Sequence, residues 1–411
     1  MDFRLDDEQR AWQELCRRFA REVIRPVAPL HDREQSMPWE VMREARRWGL
    51  SGLDTLERMG ADDTGIMSAI YAEELHWGCA GIALAIAGSG LAASGIAAAG
   101  TPEQVGRWMP ECYGSGEDIK LGAYAVTEPG AGSDVKSLRT TARLDGDDWV
   151  LNGTKTFITN GGIADITVVV ATVDASLGHR GQASFIVPGG APGLRQSRKE
   201  DKLGIRASHT AEIALDDCRI PADHVLGGVD RLHERLARAR AGEGARASNA
   251  LATFEVTRPF VGASALGIAR AAYEWTLDRL EGAGGVGGPA LEQQRVQHVL
   301  ADVATEIEGA RLLVWRAAWM ARSGVPMTAG QGSMSKLKAA DVAMWAVTTL
   351  MDLVGPEAWS PELPLEKWFR DAKIYQIFEG TAQVQRTVVA RLQRSDHARR
   401  REQAAAPAQA A

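Results

Sequence analysis

Cysteine is scarce in this sequence: four in 411 residues, at Cys16, Cys79, Cys112 and Cys218, with no two in a CxxC pair. Spacing that wide offers neither a disulfide framework nor a zinc site, so no metal is expected. Neither sign of charge dominates. The chain carries 47 basic and 53 acidic side chains, a net charge of −6, with a sequence pI near 5.8. That balance argues against nucleic acid as a partner of the whole chain and leaves open only a local basic patch. Long apolar runs of large side chains are also missing. The blandest stretch, residues 81–100, is mostly Ala and Gly, which reads as a tightly packed helix rather than a membrane span. The acidic start, with Asp2, Asp6, Asp7 and Glu8, fits neither an export signal nor a transit peptide, which makes a cytoplasmic protein the expectation.

What is present is the composition of a folded protein. Hydrophobic residues make up 45% and charged residues 24%, which excludes a disordered or fibrous chain. At about 150 residues per domain the length suggests two to three domains. Residues 1–120 read as helix: Phe3, Ala11, Trp12, Leu15, Phe19 and Val23 recur at helical steps, Pro26 and Pro29 punctuate the end, and Thr101-Pro102-Glu103 opens a later helix. Between residues 121 and 228 the texture changes. Asp145-Gly146-Asp147-Asp148 is a turn between two strand-like runs, and residues 167–172, 183–187 and 210–215 are short β-branched or alternating stretches. These predict an antiparallel β-domain. Helix returns over residues 229–394, interrupted by the glycine-rich residues 281–289, which predict a loop. Residues 395–411 end without large apolar side chains and predict a disordered tail.

Three segments carry possible chemistry. Tyr124 to Ser133 includes Val126, Thr127 and Gly132, small and hydroxyl residues that let a backbone approach a flat or phosphorylated ligand, although any surface loop has such residues. The segment from Asn152-Gly153 to Phe157, Ile158 and Thr159 sets an aromatic beside a hydroxyl, and also reads as a hairpin with one core aromatic. In Tyr375-Gln376-Ile377-Phe378-Glu379-Gly380-Thr381 a carboxylate stands in apolar surroundings. It suits a base of raised proton affinity, or simply an acidic residue at a helix end.

Together and in this order, the three segments resemble the acyl-CoA dehydrogenase family. Lys202 to Ser208, Thr257-Arg258-Pro259, Leu300 to Val303 and residues 367–373 add to a likeness that runs from Phe3 to about Leu392. The resemblance implies a helical amino-terminal domain, a central antiparallel β-barrel and a carboxy-terminal four-helix bundle. It implies FAD-dependent oxidation of the Cα–Cβ bond of an acyl thioester to a trans-2-enoyl thioester, with electrons passed to an electron-transfer flavoprotein. By match, Glu379 is the base. Tyr124, Val126, Thr127, Gly132, Ser133, Phe157, Ile158, Thr159, Gln294 and Thr381 contact FAD, and Ser133, Glu255, Arg258 and Gly380 contact the substrate. Some family members carry the base at the position of Thr257, which has no carboxyl to offer.

The sequence also departs from the family pattern. The Arg and Phe that a neighbouring subunit lends to each FAD fall on Ala283 and Val286, and a further Gln falls on Asp352, before Gly355-Pro356-Glu357-Ala358. Gln294 alone keeps the expected residue. Two readings follow: a hetero-oligomer whose other subunit supplies the arginine, or a homo-oligomer, commonly a tetramer in the family, that holds FAD more loosely or uses Arg279. The linker after Leu226 carries Arg231, Arg235, Arg238 and Arg240, the first three on one helical face, and Arg246-Ala247-Ser248 replaces the family residues beyond it. That face suits the phosphates of CoA or an acidic acyl carrier protein, or is merely solvated. The small residues Leu91 to Gly95 leave room for a bulky acyl group, or pack closely against a neighbour. An oxygen-using flavoenzyme and a non-catalytic subunit are further readings, against which Glu379, Thr127 and Thr159 all argue.

Overall fold

The computed structural model describes residues 4–243, 249–281, 283–285 and 288–405. A helical amino-terminal part precedes a curled sheet, and a helical bundle follows it. The chain forms two compact units interleaved in sequence: residues 1–29, 58–80 and 255–411 in one, residues 30–57 and 81–254 in the other.

The first helix, Asp7–Phe19, starts at Asp6, whose side chain accepts from the Gln9 N–H while the Gln9 side chain bonds back to the Asp6 N–H. Its buried stripe is Gln9, Trp12, Cys16 and Phe19, so the polar Gln9 and small Cys16 replace the expected Ala11 and Leu15 on the inner face. Gln9 can be buried because its amide donates to Thr64 Oγ1 at 2.9 Å. The helical path does not stop at Pro26. Residues Ala20–Ile24 widen to a π-turn and Arg25–Val27 tighten to 3₁₀, which accommodates the proline's missing N–H before Ala28–Glu34 continues.

In the same unit the helix Ile66–Gly78 places two carboxylates side by side in the interior, Glu73 and Glu74. Arg270, from the long helix Asn249–Leu280, donates to Glu74 at 2.8 Å and lies 3.4 Å from Glu73. Arg311, from Gln294–Arg322, reaches Glu73 at 2.9 Å, and Arg17, from the first helix, reaches Glu74 at 3.0 Å. Burial pushes the Glu73 carboxyl up, but Arg270 and Arg311 outweigh it and hold the group below the ordinary carboxylate range. One ionic cluster therefore ties four helices together. The bundle is completed by Gln331–Val354 and Ala382–Ala405.

The last helix overturns the expectation of a disordered tail from residue 395: it runs to Ala405, with Asp396 paired to Arg399 at 2.9 Å and Arg400 at 2.6 Å. Residues 406–411 lie outside the described part. The glycine-rich interruption after Leu280 is likewise more ordered than a plain loop, since Gly284–Gly285 pairs antiparallel with Gly288–Pro289.

In the other unit seven strands form one curled sheet. From one end the order is Gly122–Ala125, Ile166–Thr172, Thr141–Asp145, Asp148–Thr159, Thr210–Pro221 and Leu194–Lys199, with Gln182–Pro188 also paired to Ile166–Thr172. The sheet is mainly antiparallel, as expected, and holds two parallel pairings as well. Ile166–Thr172 runs parallel to Gly122–Ala125 and, at Thr172, to Thr141, because long connections rather than hairpins join these strands. The Asp145–Asp148 turn is a true hairpin. Residues Ala80–Ala99 are apolar enough by composition to cross a membrane. They form two helices, Ala80–Ala87 and Gly90–Ala99, broken at Gly88 and Ser89, where the Ser89 hydroxyl accepts the Gly122 N–H at 3.0 Å.

Removing Arg270 tests the cluster. Arg270→Met leaves two buried carboxylates short of their central partner and should cost about 3–5 kcal/mol in urea unfolding. Arg279→Met, which breaks an exposed pair with Glu357, should cost no more than about 1 kcal/mol. Equal losses would refute the assignment of the cluster as the bundle's main ionic tie. The cluster's contribution is fully present above the unfolded carboxylate range and is lost as pH falls through the depressed value of Glu73.

Candidate active site

The Glu379 segment joins two helices. Pro364–Lys373 ends in a 3₁₀ turn, Ile374–Gln376, and the chain then reverses through two left-handed residues, Glu379 at φ 55° and Gly380 at φ 91°. Glycine takes that conformation freely, whereas a glutamate pays strain for it. A side chain at 380 would also meet the Gln385 amide, 2.5 Å from where its Cβ would sit. Thr381 Oγ1 accepts the Val384 N–H at 3.2 Å and starts Ala382–Ala405. Gln385 Nε2 donates to the carbonyls of Glu379 and Gly380 at 3.0 and 3.2 Å. Lys336, its side chain wholly buried, donates to the Gly380 carbonyl at 2.9 Å.

Three polar groups act on the half-buried Glu379, and an aromatic cluster lies just before it in the chain. Tyr375 is buried, with Phe378 edge-on at 5.0 Å and His76 at 6.2 Å. His76 is itself pushed down to about 4 by burial and is neutral at neutral pH. The Thr257 hydroxyl donates to Glu379 Oε2 at 3.1 Å, and the charges of Arg258 and Lys336 act on the carboxyl. Burial outweighs all three, so Glu379 holds its proton more tightly than an ordinary carboxylate. Such a group can accept a proton from a weak carbon acid once it is ionised. Arg258 is buried and donates to Ser333 Oγ at 3.1 Å.

A second group of expected residues lies in the sheet unit. The loop after Gly122–Ala125 is tied to the strand Asp148–Thr159 by the Thr156 N–H, which donates to the Thr127 carbonyl at 2.9 Å. Lys155 is wholly buried beneath it and donates to the Val126 carbonyl at 2.9 Å and to Glu128 at 2.8 Å. Glu128 also accepts the N–H groups of Arg139 and Thr140 at 2.6 and 2.9 Å. Thus Val126 and Thr127 are brought beside Phe157, Ile158 and Thr159. The strand's register shifts between Lys155 and Ile158, and Phe157 stands there at φ 58° with 65% of its surface exposed. Gly132 and Ser133 are exposed at the far end of the loop, Tyr124 is half-buried and Ile158 is buried.

Other expected residues fare differently. Gln294 is the exposed first residue of Gln294–Arg322. The Glu255 side chain, Val286 and Arg246 to Ser248 lie outside the described part. Asp352 is exposed, and Arg279 is paired with Glu357. The arginine face is smaller than its spacing suggests: on the helix Val229–Arg240, Arg235 donates to the carbonyls of Arg180 and Gln182 at 2.9 and 2.7 Å, and Arg240 pairs with Asp174 at 2.8 Å. The small residues of Gly90–Ala99 are explained by packing, since a Cβ on Gly95 would stand 2.6 Å from the Tyr124 ring. Lys336 and Gln385 were not expected. Their one signal is that Lys336 falls on the apolar stripe of Gln331–Val354, among Gly332, Ala339, Ala340 and Ala343.

Three family descriptions match the chain: acyl-CoA dehydrogenase N-terminal domain over residues 6–115, middle domain over 123–218 and C-terminal domain over 242–393. The short-chain specific acyl-CoA dehydrogenase of Bos taurus mitochondria is 37% identical over 389 residues, 94% of this chain and 90% of that protein. The chain belongs to the acyl-CoA dehydrogenase family. Cyclohexane-1-carbonyl-CoA dehydrogenase of Geobacter metallireducens is 38% identical over 394 residues, 95% of this dehydrogenase and 98% of that one. Among solved structures, butyryl-CoA dehydrogenase from Megasphaera elsdenii superposes with a TM-score of 0.84 at 34% identity, covering 95% of this chain and 99% of the other. A glutaryl-CoA dehydrogenase from Mycobacterium smegmatis in complex with FADH2 superposes at 0.81 with 26% identity, covering 94% of each.

The protein is therefore a flavoprotein oxidoreductase of the acyl-CoA dehydrogenase type, and its cofactor is FAD. The sheet unit fits that group. An exposed phenylalanine held on strained backbone offers a flat ring a stacking face, and Gly130 and Gly132 have open space where side chains would stand.

The tightly held proton of Glu379 makes a prediction that needs no substrate. An unfolded carboxyl ionises more easily, so ionisation of Glu379 destabilises the fold. The penalty is absent at acid pH, where both states are protonated, and complete above the folded-state value. Glu379→Gln keeps the shape and the acceptor for Thr257. It should raise the thermal midpoint at neutral pH and leave it unchanged below the carboxylate range. A lowered midpoint at neutral pH would contradict the desolvated carboxyl.

Proposed function

We propose that Glu379 removes the α-proton of an acyl-CoA thioester while the β-hydrogen departs as hydride, leaving a trans-2-enoyl-CoA. The observation that carries this reading is a half-buried carboxyl whose proton affinity its surroundings raise, fixed on a left-handed turn and hydrogen-bonded by Thr257. An α-proton of a thioester is a very weak acid, so the base must be poorly hydrated and the thioester oxygen must receive hydrogen bonds. We assign the Glu379 backbone N–H as a donor to that oxygen. Thr257 fixes one carboxylate oxygen and leaves the other to meet the proton. FAD, when bound, accepts the hydride. Tyr124, Val126, Thr127, Gly132, Ser133, Phe157, Ile158 and Thr159 are the residues we assign to its cradle, with Gln294 and Thr381 at its margins, and Arg258, Gly380, Ser133 and Glu255 to the thioester and its carrier.

A compact acyl group is the first substrate class to test. The relatives above are named for short-chain and cyclic acyl-CoA, and the small residues near Tyr124 are consumed by packing rather than by an open pocket. CoA is favoured over an acyl carrier protein as the thiol, because the relatives above are named for CoA thioesters. We assign an electron-transfer flavoprotein as the acceptor, a homotetramer as the assembly and the cytoplasm as the location. A hetero-oligomer in which a partner supplies the arginine missing at Ala283 is the competing assembly.

The purified protein expressed alone should show a stoichiometric flavin band. A colourless protein that stays so on adding FAD would favour the hetero-oligomer. With the band present, acyl-CoA should bleach it anaerobically. Glu379→Gln should keep the flavin and bind acyl-CoA while slowing bleaching by about 10²–10⁴-fold. Bleaching at the normal rate would overturn the assignment of the base. A given acyl chain should react faster on CoA than on a carrier protein, and the reverse order would exchange the two thiols.

A further inference from the structure

We infer that Lys336 is a positioning residue for the base: its ammonium, seated beneath the Glu379–Gly380 turn, holds the Gly380 carbonyl and supplies positive charge against which the half-buried Glu379 carboxyl ionises. The inference rests on Glu379 being the base.

Three observations carry it. First, Lys336 is wholly buried on the inner face of Gln331–Val354, whose other buried residues are small or apolar. A buried ammonium is expensive and persists only where it is compensated. Second, its hydrogen bond goes to the turn itself, to Gly380 at 2.9 Å, one residue from the carboxyl-bearing position. Third, its charge is not spoken for elsewhere in the group. The charges acting on it are Glu379, Arg258 from Asn249–Leu280, and Asp341 from its own helix. Asp341 is already engaged by Arg386 Nη2 at 2.6 Å and by Gln376 Nε2 at 2.8 Å. Arg258 repels Lys336 and, like it, attracts Glu379. The carboxyl left for Lys336 to balance is Glu379.

The electrostatics agree in direction. Burial lowers Lys336 to about 8, with Glu379 opposing the fall, and Lys336 opposes the burial that raises Glu379. The turn does not hang on Lys336 alone. Gln385 donates to both carbonyls, so losing the lysine leaves Gly380 one donor and the backbone a means of keeping its shape. The two roles, holding and charging, are therefore separable by substitution.

The test uses the FAD-loaded enzyme and the anaerobic bleaching of its flavin by one acyl-CoA, followed across pH in single turnovers. Lys336→Met removes donor and charge, Lys336→Gln keeps a donor without charge, and Lys336→Arg keeps both. Without the positive charge Glu379 holds its proton more tightly. The acid limb of the bleaching rate should therefore move to higher pH by about one unit in the Met and Gln variants, and stay in place in the Arg variant. Below the limb this appears as an approximately tenfold loss of rate. Bound FAD and the affinity for acyl-CoA should change less than about twofold. At high pH Lys336→Gln should recover the wild-type rate. An acid limb unmoved in both the Met and the Gln variants would overturn the inference and leave Lys336 as packing. A limb that moves equally in all three variants would also overturn it, because a disturbed turn rather than a lost charge would then be responsible. Failure of the underlying reading looks different. In that case Glu379→Gln bleaches at the normal rate, whatever Lys336 does.

Discussion

The opposition between burial and positive charge at the Glu379 carboxyl is the interaction around which the carboxy-terminal helices are arranged. Burial raises the proton affinity of Glu379, and the Thr257 hydroxyl and the charges of Arg258 and Lys336 oppose it. The hydroxyl lies at 3.1 Å, and the balance leaves the carboxyl above its ordinary value. The left-handed backbone at Glu379 adds strain of order 1–3 kcal/mol. That strain is tolerable because both carbonyls of the turn are held by Gln385, and the following helix starts at once from Thr381. Rigid support comes from further away. The Glu73, Glu74, Arg270 and Arg311 cluster fixes the helices Ile66–Gly78, Asn249–Leu280 and Gln294–Arg322, and so fixes where Thr257 and Arg258 stand.

Two wholly buried lysines do similar mechanical work in the two units. Lys155 grips the Val126 carbonyl and Lys336 the Gly380 carbonyl, each at 2.9 Å, and burial lowers each to about 8. They differ in what balances the charge. Lys155 has its own carboxylate, Glu128, at 2.8 Å, and that carboxylate is saturated by two backbone N–H groups. It is a closed structural unit that shapes a loop. Lys336 bonds to a main-chain carbonyl instead, and the carboxyls acting on it are Glu379 and Asp341, the latter already engaged by Arg386 and Gln376.

The fold class was legible in the sequence because its signals are long or local: amphipathic helices, an Asp145–Asp148 hairpin, β-branched runs. What the sequence did not show is mostly set by contacts between residues far apart in the chain. Gln9 enters the core only because Thr64 receives it, and a window around residue 12 cannot show that. The parallel strand pairs depend on where long connections return. The helix beyond residue 394 is held by Asp396 with Arg399 and Arg400, a local pattern that composition alone obscures. Glu379, Thr127 and Phe157 stand out in the sequence as parts of a pattern, none of them alone. Thr257 was read as a base position without a base. In the fold its hydroxyl lies 3.1 Å from Glu379 Oε2, so two positions 122 residues apart reach one point in space. That convergence explains why a family could place its carboxylate on either.

The arginines show how far sequence spacing can be trusted. Arg235 and Arg279 both looked available to an anion, and both turn out to be partnered. The partners are not equivalent. Arg235 is half-buried and donates to two main-chain carbonyls, so withdrawing it would strand acceptors that water reaches poorly. Arg279 is paired with an exposed carboxylate, Glu357, with 48% and 61% of the two side chains open to solvent. An exposed pair of this kind is worth about 1 kcal/mol at most. A diphosphate, with more than one negative charge and good acceptor geometry, would compete for that guanidinium with little resistance. The pairing therefore removes Arg235 from the account of carrier binding but leaves Arg279 in the account of what replaces the arginine missing at position 283.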